Sequence, residues 1–221
     1  MCTLKAGRLL CVLGGATLAF ALQTQAKADD RIALGSSAIS HFPGSIMVFG
    51  GVGAGRETLA TIMFQPWDID SGALDDSGFA GVAMSRQLVR FWQHFWLEAE
   101  MGAGFRFEPA EDYYNPELWG AIYLKFDGFP WNDTLRTAVG VSTGLNWIKE
   151  IPKSEVRYGR WAPPDGAVLQ HYLSPEVAFS LPETPENELV FRLHHRSTGH
   201  GLFWNARTGS NVVTVGLRFR R

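Results

Sequence analysis

The sequence predicts an all-β fold, an eight-stranded antiparallel up-and-down transmembrane β-barrel with long extracellular loops and short periplasmic turns. Three observations predict it. Successive segments alternate apolar and polar side chains with a period of two. The connections between them alternate long and short, and aromatic residues gather near the segment ends.

The composition sets the outer limits. A chain of 221 residues that is 46% hydrophobic and 19% charged holds one sizeable core, which excludes a disordered tail and a two-domain enzyme. A net charge of −2 without a local basic patch excludes nucleic acid as a partner.

Residues 1–28 read as a secretory signal peptide: Lys5 and Arg8, an apolar run from Leu9 to Leu22, then Ala26-Lys27-Ala28 as the exit site, with cleavage before Asp29. The run is too short for a single-pass anchor across roughly 30 Å of hydrocarbon. Cleavage removes Lys5, Arg8 and Lys27, leaving 17 basic against 22 acidic side chains, and removes Cys2 and Cys11. The exported chain then has neither a disulfide framework nor a thiolate metal site. Residues 29–56 read as an N-terminal lead-in or an extra short strand over 45–52, and the glycine-rich run from Gly50 to Arg56, which lacks a phosphate-binding lysine, reads as a flexible turn.

Barrel strands are expected at 57–65, 79–91, 94–107, 117–127, 134–146, 169–181, 187–197 and 211–219. In the third, Phe95, Leu97, Ala99, Met101, Ala103, Phe105 and Phe107 share one face, and Glu98, Glu100, Gly102, Gly104 and Arg106 the other. The fourth sets Leu118, Ile122, Leu124 and Phe126 against Trp119, Tyr123, Lys125 and Asp127, and the fifth sets Leu135, Val139, Val141 and Leu145 against Arg136, Ser142, Gly144 and Asn146. The sixth opposes Leu173, Val177 and Phe179 to Tyr172, Ser174, Glu176 and Ser180, and the last opposes Val213, Val215, Leu217 and Phe219 to Thr214, Gly216, Arg218 and Arg220.

A soluble barrel would turn the apolar faces inward, and a transmembrane barrel would turn them outward. Connections expected to be long after the first, third, fifth and seventh strands favour the second arrangement and a bacterial outer membrane. Trp67, Trp92, Trp96, Tyr113, Tyr114, Trp131, Trp147 and Trp204 fit aromatic girdles at its two interfaces. Eight strands leave an interior that side chains fill, so Glu98, Glu100 and Glu176 are expected to pair there with Arg106, Arg136, Arg192 and Arg196 and to leave no channel.

The seventh segment breaks the rule of an apolar outer face. Leu189, Phe191 and Leu193 are followed on the same parity by His195 and Ser197, while Arg192, His194 and Arg196 point inward. A polar side chain turned to lipid is costly unless it lies near the headgroups or has a purpose. Residues i and i+2 of a strand lie about 6.5–7 Å apart on one face, within reach of an imidazole acting as base toward a serine hydroxyl. A hairpin centred on Trp204 would set Asn211 opposite Ser197 and Val213 opposite His195, with the Asn211 amide able to orient the imidazole. Two interfacial polar residues ending a strand is the other reading. No His, Asp or Glu cluster has metal-binding spacing.

The stretch from Phe191 to Gly201, containing His195-Arg196-Ser197 ahead of a final strand, resembles the active-site segment of PagL-type lipid A 3-O-deacylases. The resemblance implies an outer-membrane barrel that hydrolyses an acyl ester of lipid A in lipopolysaccharide without any cofactor. It implies His195 as base, Ser197 as nucleophile, and Leu193 and Val213 as wall of the acyl groove. Asn211 stands where the family has its orienting glutamate, and Thr198 stands at the asparagine credited with assisting the oxyanion. The alternative is a noncatalytic barrel with a structural or loop-mediated role, and a soluble lipid carrier is a third reading.

Overall fold

In the computed structural model, residues 43–54, 59–65, 74–152, 155, 167–198 and 208–221 are described. The expected signal peptide over 1–28, together with Trp67 and Trp204, lies outside them. The strands are β1 (Gly44–Gly53), β2 (Gly78–Phe91), β3 (Phe95–Glu108), β4 (Tyr113–Phe126), β5 (Arg136–Ile148), β6 (Leu169–Leu173), β7 (Pro175–Ser180), β8 (Asn187–Ser197) and β9 (Gly209–Arg220). A short helix α1 (Leu59–Phe64) lies after β1 and a 3-10 turn (Pro109–Glu111) after β3.

All pairings are antiparallel, and β1 pairs with β9 from Ser45↔Arg220 to Gly53↔Val212, which closes the sheet on itself. β6 and β7 are two parts of one barrel strand. Both lie between β5 and β8 in a single register, with Gly144 facing Tyr172 and Val141 facing Pro175. Pro175 has no N–H to give the ladder. The ladder is bridged there by Ser142, whose amide donates to the Ser174 carbonyl at 3.2 Å and whose Oγ accepts from the Ser174 amide at 2.9 Å. The molecule is therefore an eight-stranded closed barrel, as the alternation predicts.

The sequence reading misplaces the first strand. The segment 57–65 contains α1 in place of a strand, and the strand that closes the barrel is β1, which absorbs 45–52 and the glycines at 50, 51 and 53 that read as a turn. The long-short alternation also fails at one point. β3 and β4 extend further than expected, so only 109–112 joins them, turning through the left-handed Asp112 at φ 51°. The other connections at this end, 54–77, 149–168 and 198–208, are longer than those at the opposite end, 92–94, 127–135 and 181–186. Trp92 and Gln93, with φ 47° and 59°, make the tightest of the latter.

Polarity is inverted relative to a soluble protein. Met84, Met101, Leu118, Leu145, Phe191 and Val215 are exposed on the outside, whereas Arg106, Arg192, Arg196 and Arg218 are among the most deeply buried side chains. That arrangement is stable only with hydrocarbon around the barrel. Of the expected girdle residues, Trp92, Tyr114, Trp131 and Trp147 are on the outer surface. Trp96 and Tyr113 are not, because strand parity turns them inward. Trp96 donates to Glu98 at 3.1 Å, and Tyr113 donates to the Glu150 carbonyl at 2.6 Å.

The interior is layered. Toward the end with short turns, Glu98, Glu100, Glu176 and Glu188 interlock with Lys125, Arg192, Arg218 and Arg220 in one neutral cluster. Arg192 pairs with Glu100 and Glu176 as expected, but Arg106 takes Glu117 and Arg196 takes Glu155. Above the neutral cluster lies an aromatic layer in which His194 stacks on Phe79, with centroids 4.5 Å apart, and meets Trp119 edge-on. His194 also bonds Glu117 at 2.6 Å and the Tyr172 hydroxyl at 3.0 Å, as befits an inward residue. Gly102 makes room for this layer, since a Cβ there would lie 2.0 Å from Trp119 Cζ2. The side chains of both layers are buried inside the cylinder.

Candidate active site

Along β8 the outward positions are Leu189, Phe191, Leu193, His195 and Ser197, and the inward positions Glu188, Val190, Arg192, His194 and Arg196 are buried. The run of apolar outer residues therefore ends in an imidazole and a hydroxyl at the end of the barrel that carries the longer connections. Both are partly exposed.

The β8–β9 pairing is displaced by two residues from the hairpin expected. His195 faces Asn211, Leu193 faces Val213, and Ser197 faces Gly209. The displacement puts Asn211 directly beside the imidazole. His195 Nδ1 donates to Asn211 Oδ1 at 2.6 Å, with Asn211 itself buried. Proton on Nδ1 leaves the Nε2 lone pair as the basic site, which is the tautomer a general base toward a serine requires.

Gly209 lets β9 approach Ser197 closely. A side chain there would start 3.0 Å from Ser197 Cβ and 2.7 Å from the Arg196 carbonyl, so only glycine fits opposite Ser197 without a shift. Val213 is exposed on the wall next to the site, while Leu193 is covered despite its outward parity. Thr198 departs from its expected role. It is buried, its amide donates to the Thr208 carbonyl at 3.0 Å, and its hydroxyl accepts from the Thr208 amide at 3.3 Å. The Thr198 N–H and hydroxyl are thus both engaged with Thr208.

Sequence reasoning missed two residues of this patch. His171 on β6 faces Ser197 across the β6–β8 ladder, and Leu173 faces His195. His171 Nε2 lies 2.8 Å from Thr143 Oγ1 on the outer face of β5. The signal was available, since His171 has the parity of Leu173, Val177 and Phe179, and Thr143 has that of Val141 and Leu145. Thr143, His171, Ser197, His195 and Asn211 thus form a polar band across β5, β6, β8 and β9, bordered on the same wall by Leu145, Leu173, Leu193 and Val213. Among the described residues no group of three His, Cys, Asp or Glu could hold a metal ion.

An apolar exterior around a neutral ionic lumen defines a class, the small outer-membrane β-barrels, and solved structures of that class share the fold. The outer membrane enzyme PagL matches with a TM-score of 0.56 at 10% sequence identity, over 79% of this chain and 98% of that one. Weaker likenesses are Neisserial surface protein A, with a TM-score of 0.46 at 11% identity over 80% of this chain and 96% of that one, and OprG of Pseudomonas aeruginosa, with 0.36 at 10% over 81% and 98%. No protein-family model matches the sequence, and no curated protein matches it. At these identities the likeness concerns the fold, and function has to be argued from the site.

Proposed function

We propose that this chain is an outer-membrane ester hydrolase that removes an acyl chain from lipid A, delivered by the signal peptide over 1–28 and acting from the lipid-facing wall at the outer leaflet. The observation that carries the reading is the His195 to Asn211 hydrogen bond, placed with Ser197 on a surface where polar groups are otherwise avoided. An ester held between acyl chains and headgroups would meet Ser197 without leaving the membrane.

In the reaction, His195 Nε2 takes the Ser197 Oγ proton as Oγ adds to the ester carbonyl carbon. The carbonyl π pair moves onto oxygen, and collapse of the tetrahedral species expels the sugar alkoxide, which receives the proton from His195. Water then repeats the sequence on the acyl-serine, releasing fatty acid and restoring the site. Asn211 holds the imidazole in the required tautomer, and Val213 lies where an acyl chain would run along the wall.

The test is fatty acid release from lipopolysaccharide by purified protein and by Ser197→Ala. Release by the wild type and none by the variant is expected. No release by the wild type, or equal release by both, would leave a noncatalytic barrel that acts through its loops or its presence in the membrane.

A further inference from the structure

We infer that His171 is a second catalytic imidazole, donating a hydrogen bond to the oxyanion formed when Ser197 attacks the ester. The inference rests on the hydrolase reading and supplies an oxyanion donor in place of Thr198, which is bonded to Thr208.

Acyl transfer needs a donor about 2.7–3.1 Å from the position the carbonyl oxygen takes in the tetrahedral species, beside the nucleophile. Thr198 is turned inward and bonded to Thr208, Asn211 is bonded to His195, and Gly209 brings no side chain. On the other flank of Ser197 stands His171, its direct cross-strand neighbour. Side chains in such a pair start about 4.5–5.5 Å apart at Cβ, closer than the i to i+2 spacing of about 6.5–7 Å that separates Ser197 from His195. A carbonyl oxygen approaching Ser197 between β6 and β8 therefore comes within reach of the His171 ring.

In this proposal the Thr143 hydroxyl, which lies 2.8 Å from His171 Nε2 and is able to donate or accept, acts as the donor, and the imidazole carries its proton on Nδ1, the atom that faces the oxyanion. The two histidines take complementary parts. His195 presents a lone pair because Asn211 accepts a hydrogen bond from its Nδ1–H, and His171, held through Nε2 by Thr143, is assigned the part of donor. A hydrogen-bonded imidazole and threonine facing lipid cost free energy that Leu and Val would not, which is the mark of residues kept for chemistry.

The experiment compares His171→Leu and His171→Asn with wild type and Ser197→Ala, measuring kcat and KM for fatty acid release from lipopolysaccharide in detergent micelles. Leucine suits a lipid-facing wall, so the barrel should fold, which heat-modifiable gel mobility checks. His171→Leu is expected to lower kcat about a hundred- to a thousand-fold with KM little changed, the loss typical of one oxyanion donor. His171→Asn, whose amide nitrogen falls near the Nδ1 position, is expected to recover all but about tenfold of the loss. A His171→Leu enzyme with wild-type kcat, or a His171→Asn enzyme as poor as His171→Leu, overturns the inference while Ser197-dependent release still upholds the hydrolase reading. A wild type without Ser197-dependent release overturns both.

Discussion

Replacing Asn211 with leucine tests the orienting hydrogen bond with little change of shape. Asn211 is buried, and its Oδ1 accepts from His195 Nδ1 at 2.6 Å, on the strand that pairs residue for residue with β8. Leucine of similar volume leaves that N–H facing an apolar group. A donor stripped of its partner in a partly buried setting costs about 1–3 kcal/mol. The cost grows as the imidazole becomes imidazolium, because a protonated ring donates more strongly. Since about 1.4 kcal/mol is tenfold in rate, kcat should fall by about 5- to 150-fold. KM should hold, because Asn211 lies behind the histidine and not against the acyl chain. Asn211→Asp keeps the acceptor and should retain activity at neutral pH. The assay is the kinetics of fatty acid release from lipopolysaccharide in micelles, with folding checked by gel mobility. An Asn211→Leu protein that folds and keeps kcat within about twofold of wild type would refute the orienting role, since even the smallest cost cited exceeds that.

Two further predictions concern the scaffold. Glu176→Gln removes a carboxylate that contacts Lys125 at 2.8 Å and Arg192 and Arg218 at 2.6 Å each, leaving buried positive charge unbalanced. Its unfolding free energy in detergent, from guanidinium titration, should drop by about 3–5 kcal/mol. Gly102→Val drives a side chain into the Trp119 ring, so tryptophan fluorescence should shift and stability fall by about 1–3 kcal/mol; an unchanged spectrum would show that Trp119 does not fill that slot.

The strands from β2 to β9 were legible because one face of each meets hydrocarbon and the other meets ions, so a period of two survives even where the chain is rich in glycine. β1 was not. Its inward residues Met47 and Phe49 join the aromatic layer, so Ile46 through Val52 are apolar or glycine on both faces and the alternation vanishes. The segment wrongly read as a strand has Leu59, Ile62 and Met63 at helical spacing, and α1 forms there. Trp96 and Tyr113 show parity overriding the interfacial preference of aromatic rings. At the site, the outward parity of His195 and Ser197 was readable from one strand. The pairing of Asn211 depended on turn geometry, and His171 lies on a strand distant in sequence, so only the closed sheet brings it to Ser197.

The charges in the lumen also dictate how the cylinder can assemble. The N-terminal part through β5 contributes Glu98, Glu100 and Lys125 to the neutral cluster, and the part from β7 onward contributes Glu176, Glu188, Arg192, Arg218 and Arg220. Of this cluster, the first portion's share carries one surplus negative charge and the second's one surplus positive, and in a half-formed barrel both would face hydrocarbon. Each half is thus a poor guest in the bilayer until the other arrives, which couples insertion to closure and gives the chain a reason to enter the membrane as one unit.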